Sequence, residues 1–74
     1  MELTERIQRF IDGSDVSQAS AALIEVGLDD AFPENDRIAE AVLMLASYRP
    51  GGGESFVAEP EMRAELAKIL PRMR

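Results

Sequence analysis

With no histidine and no cysteine in the chain, any chemistry must come from carboxylates, arginines, hydroxyls and backbone amides. The densest set of such groups is Asp29-Asp30-Ala31-Phe32-Pro33-Glu34-Asn35-Asp36, which holds four carboxylates in eight residues. Hard cations want several oxygen ligands together, and a calcium loop of the EF-hand type supplies them at alternate positions, with a glycine at the sixth and a glutamate at the twelfth. Here Phe32 and Pro33 interrupt and no glycine lies inside, so no metal site is expected. Two other uses fit better. Acidic groups at the start of a helix offset its positive end, and an acidic surface can meet a basic one. Asp29, Asp30, Glu34 and Asp36 are therefore the first candidate partner-binding residues.

A second candidate lies around Pro50-Gly51-Gly52-Gly53. Glycines let backbone amides approach an anion, but a phosphate-binding loop continues into Gly-Lys-Ser/Thr, and Glu54-Ser55 follow here. The segment reads instead as a connector, or as a contact loop with Tyr48 and Arg49 on one side and Phe56 on the other. Met44, Tyr48 and Phe56 are expected to line an apolar groove.

Catalysis needs converging groups of matched pKa or a bound cofactor. Glu34, Asp36 and Glu40 beside Arg37 are more readily exposed carboxylates than an active site, so neither an enzyme nor a cofactor is expected. Gly27-Leu28-Asp29-Asp30, following an apolar helix, resembles the Asp-Ser-Leu segment of acyl carrier proteins, which are also small, acidic and four-helical. Asp30 stands where those proteins need a serine hydroxyl for their phosphopantetheine ester, so that attachment does not carry over.

The elements that position these residues follow from length and pattern. Seventy-four residues make one domain, residues 1–74, with a radius of gyration of roughly 11 Å. Apolar residues make up 46% and aromatic ones 5%, so the core is built from Leu, Ile, Val, Met and Ala. The net charge of −6 opposes a nucleic-acid partner, and the split is uneven: −7 over residues 1–58, +1 over residues 59–74. No apolar run approaches the roughly 20 residues of a membrane span, and no basic secretory start is present, so no membrane partner and a cytoplasmic location are expected.

Helical spacing places Leu3, Ile7, Phe10 and Ile11 on one stripe, predicting a helix over 3–12 that stops at Gly13. Asp15 and Gln18 suggest a capping box for a second helix over 16–26, with Val16, Ala19, Leu23 and Val26 as the buried stripe, Ala21, Ala22 and Ile24 broadening it, Ser17, Gln18, Ser20 and Glu25 wet, and Gly27 as its stop. A single turn at 29–32 with Phe32 as a plug comes next. The third helix, 35–48, is apolar on most sides and is expected to be central and sheathed by the others, its start capped by Asn35 or Asp36 and its end signed by Pro50. Pro60 opens a fourth helix over 60–70 with Met62, Leu66, Ile69 and Leu70 inside, and Pro71 ends it before the basic tail Arg72-Met73-Arg74.

These readings define an all-α, small four-helix bundle with a Gly-rich loop before the last helix. The expected function is a small acidic protein–protein interaction module that binds a basic protein surface, as an immunity- or antitoxin-type inhibitor or an adaptor does. A homo-oligomeric structural or accessory subunit is the alternative. A DNA-binding regulator ranks third, since the connection from Gly27 to Pro33 is long and acidic and the third helix, which would have to read the DNA, exposes mostly Glu, Asp and Ala.

Overall fold

The computed structural model describes residues 2–73. It contains α1 (Leu3–Asp12), α2 (Gln18–Ala31), α3 (Asp36–Ala46) and α4 (Glu59–Ile69), the last continued by a 3-10 turn over Leu70–Met73. Each helix packs on the next, and α4 packs back on α1, so the four close a ring around one apolar core. This is the expected all-α four-helix bundle, and its radius of gyration is 11.0 Å.

The first turn follows local rules. α1 buries Ile7 and Phe10, and Gly13 ends it at φ 87°, a left-handed angle that suits glycine. Its N–H donates to the Phe10 carbonyl at 3.2 Å. The cap of α2 is one step removed from the expected box. Ser17 Oγ, not Asp15, accepts the amide of Ser20 at 3.1 Å, and Asp15 holds the cap in turn by accepting from Ser17 Oγ at 2.8 Å.

α2 departs most from expectation. It does not stop at Gly27 but runs through Ala31, absorbing the separate turn anticipated over 29–32. Gly27 has no left-handed φ; its missing side chain serves close packing, since a Cβ there would lie 2.7 Å from Leu3 Cδ1. The buried face is also turned. Ser20, Ala21, Ile24 and Leu28 point inward, whereas Ala19 is exposed and Leu23 and Val26 are 53% and 68% exposed. Apolar residues lie on more than one side of this helix, so sequence periodicity does not single out one face. The face that lets Gly27 approach α1 is the one that packs.

α3 begins as expected, with Asn35 Oδ1 accepting from Ile38 N at 3.1 Å. It ends at Ala46 rather than at residue 48, and it is one corner of the ring rather than a sheathed axis. Ile38, Ala41 and Leu45 are buried, while Ala39, Glu40, Ala46 and the 70% exposed Leu43 face outward. α4 starts with Pro60 in its first turn and buries Met62, Leu66 and Ile69. Pro71 does not free the chain end at once, because Met73 in the 3-10 turn still packs on the core. The expected basic tail is thus partly packed; Arg72 is exposed and Arg74 lies outside the described residues.

Candidate functional site: an acidic corner between two helices

The connection from α2 to α3 is residues 32–35, and two of them fix it. Phe32 packs against the core, and its amide continues the α2 ladder by donating to the Leu28 carbonyl at 2.9 Å. Asn35 donates its amide to the Phe32 carbonyl at 3.3 Å while its side chain caps α3. The plug and the cap hold the two helix ends side by side. Asp29 and Asp30 in the last turn of α2, Glu34 in the connection and Asp36 at the start of α3 are all exposed at this corner.

Among the described residues, none of these four carboxylates accepts a side-chain hydrogen bond or joins an ion pair. Arg37, which follows Asp36 in sequence, turns away from the corner to α4. It makes a two-pronged contact with Glu65, one prong being Nη2 to Oε1 at 3.1 Å, and lies 3.7 Å from Glu40. That contact holds the Glu65 carboxyl below its ordinary range. Arg37 is thus directed away from the corner. Asp36 sits where a carboxylate favours helix α3, but Asp29 and Asp30 sit at the negative end of α2, whose last turn has no basic residue. No helix-stability reason accounts for those two.

The second group of candidate residues divides. Tyr48 is buried and is not available to a partner. Its ring meets Phe10 edge-on at 5.1 Å, and its hydroxyl donates to the Val16 carbonyl at 2.6 Å. Burial, then Glu59, raises its pKa. With Tyr48 inside, the groove expected between Met44, Tyr48 and Phe56 is not formed, and no pocket opens among the described residues. Arg49 and Phe56 do come together. The guanidinium lies 4.8 Å from the ring centre, and Arg49 Nη1 donates to the Tyr48 carbonyl at 2.7 Å.

This pair is built by the loop rather than left on it. Arg49 N donates to the Val57 carbonyl at 3.0 Å and Val57 N to the Ser47 carbonyl at 2.9 Å, forming a short parallel bridge that closes the Gly-rich segment. Arg49–Phe56 and the acidic corner lie at opposite ends of α3, whose 11 residues span roughly 16 Å at about 1.5 Å each. The seven residues therefore make no single surface: four share the corner, two form a separate contact and one is core.

Three further observations bear on chemistry. Among the described residues, no three Asp or Glu side chains gather as a metal site would require. No helix among them is long and apolar enough to cross a membrane. Sequence reasoning places Ala19, Leu23 and Val26 on the buried stripe of α2, whereas the structure exposes them side by side with Ala22 on its outward face. Its signal is present in the sequence, since no charged residue occurs in α2 before Glu25.

Comparison of the chain with protein-family models, with curated proteins and with solved structures finds no match.

Proposed function

We propose that the protein is a small interaction module whose acidic corner, Asp29, Asp30, Glu34 and Asp36, docks on a basic surface of a protein partner. An inhibitor of the immunity or antitoxin kind, or an adaptor, would work in this way, and a cytoplasmic setting belongs to the same proposal. The observation that carries it is the set of four exposed carboxylates with no ion-pair partner among the described residues, two of them at a helix end they disfavour. A bundle that used these groups only for its own helices would place them at helix starts.

Complementary charge mainly sets the encounter rate and the choice of partner, and it is screened by salt over about 8–10 Å. The test is to capture the partner on immobilised protein, identify it, and measure its affinity across salt concentrations for the native chain and for Asp29→Asn, Asp30→Asn, Glu34→Gln and Asp36→Asn combined. Binding should fall roughly tenfold or more at low salt, and the salt dependence should flatten. Unchanged affinity and slope would remove the acidic corner from the function.

A further inference from the structure

We propose that the acidic corner recognises an amphipathic helix of its protein partner, which lies along α2 with an apolar face over about two turns and with Lys or Arg at the end that meets Asp29 and Asp30. The proposal rests on the docking role of the corner and names the form of the partner. Ala19, Ala22, Leu23 and Val26 are exposed and spaced three and four apart, so they adjoin on one stripe of the helix. The stripe does not end at Val26. Asp29 and Asp30, also exposed, follow Val26 at the same helical spacings. Apolar strip and acidic corner are therefore one continuous surface, roughly 16 Å long from Ala19 to Asp30 at about 1.5 Å per residue. Single exposed apolar residues need no explanation, but a strip one helix face wide that runs into a cluster of charge has the footprint of a packed helix.

Charge states the chemistry of the occupant. α2 carries Glu25, Asp29 and Asp30 and no basic residue, and its first turn is uncharged. Among the described residues, none of the four corner carboxylates has an ion-pair partner. An acidic helix, a second copy of this face included, would set carboxylate against carboxylate. A helix without charge would cover Asp30, in line with Leu23 and Val26, and leave it unpaired. A helix that is apolar beside Ala19 to Val26 and basic beside Asp29 and Asp30 meets both halves, and the small side chains of Ala19 and Ala22 let its backbone come close.

The probe is a helical peptide with leucines at i, i+3, i+4 and i+7 followed by lysines in its last turn, titrated to about 1 mM against the isotope-labelled whole chain. A matched peptide ends in glutamates instead. Amide shifts should move along residues 19–30. Binding should be about tenfold or more weaker for the glutamate peptide, for Val26→Glu and, at low salt, for the chain with Asp29→Asn, Asp30→Asn, Glu34→Gln and Asp36→Asn combined. Leu43→Glu, on the outer face of α3, should bind as the native chain does, and circular dichroism checks that every variant is folded. Binding lost on neutralising the corner but unchanged in Val26→Glu overturns the α2 face and leaves the docking role of the corner standing. Binding lost in Val26→Glu but unchanged on neutralising the corner overturns both. Failure of the lysine peptide to bind, equal binding of the two peptides, or shifts confined to other helices would overturn the proposal. So would a chain that self-associates through Val26 in sedimentation, which would assign the face to a second copy.

Discussion

Tyr48 and Val16, thirty-two positions apart in sequence, are joined by a hydroxyl-to-carbonyl hydrogen bond of 2.6 Å. The bond links the residue just past α3 to the linker just before α2, and the ring between them rests edge-on against Phe10 of α1. One side chain therefore ties three segments that the ring of helices brings to the same end.

Tyr48→Phe keeps the ring and leaves the Val16 carbonyl without its donor. It should cost about 1–2 kcal/mol in urea unfolding, or roughly 4–8 °C of Tm per kcal/mol. Burial and Glu59 raise the phenol above its ordinary value of 10.0. The folded state therefore favours the neutral form, and this contribution is complete below pH 10 and is lost as pH rises from there through the folded-state pKa. The phenylalanine variant should lack that alkaline loss; an identical profile would show that Tyr48 does not cause it.

Glu65 presents the opposite sign. Its hydrogen bonds from Arg37 hold its carboxyl below the ordinary 4.5, against the effect of burial. The folded state therefore favours the ionised form, and the stabilisation is present above pH 4.5 and lost as pH falls through the folded-state pKa. Glu65→Gln should be less stable than the native chain at neutral pH, with the difference shrinking in acid. Denaturation midpoints between neutral and acid pH check this.

Ser20 is buried, and its Oγ has no hydrogen-bond partner. The nearby helix-cap bond uses its amide, not its hydroxyl. Ser20→Ala removes an unsatisfied polar atom and adds a better helix former, so it should raise stability by about 1 kcal/mol. A loss on urea titration would mean that the hydroxyl is bonded in solution.

Gly27 offers a test of how α2 meets α1. An added Cβ would collide with Leu3 Cδ1 at 2.7 Å, which is the tip of a flexible side chain. Gly27→Ala should therefore fall within about 1 kcal/mol of the native chain, the helix preference for alanine offsetting the shift of Leu3. Gly27→Leu should destabilise by several times as much, because a whole side chain must enter the α1–α2 contact. Equal effects of the two would show that the helices separate freely there.

Much of this was legible in the residues themselves. The stripe Leu3, Ile7, Phe10 and Ile11, the stop at Gly13, the Asn35 cap and the Pro60 start are local signals. Each depends on backbone groups within a turn or on a period that shows one apolar face. The acidic corner was equally legible, since four carboxylates close in sequence across a short helix connection can only lie near one another.

What the sequence by itself determined is the class of the fold, four helices in chain order, and a concentration of negative charge between the second and third. Only the tertiary structure decided which side of α2 is buried, because apolar residues lie on more than one side of that helix between Ala19 and Leu28 and the choice depends on the approach of Leu3 to Gly27. The packed ring likewise decided that Gly27 lies within α2, that Arg37 serves Glu65 rather than the corner, and that Tyr48 belongs to the core. Each of those outcomes depends on a partner more than twenty residues away in sequence, which a local pattern does not contain.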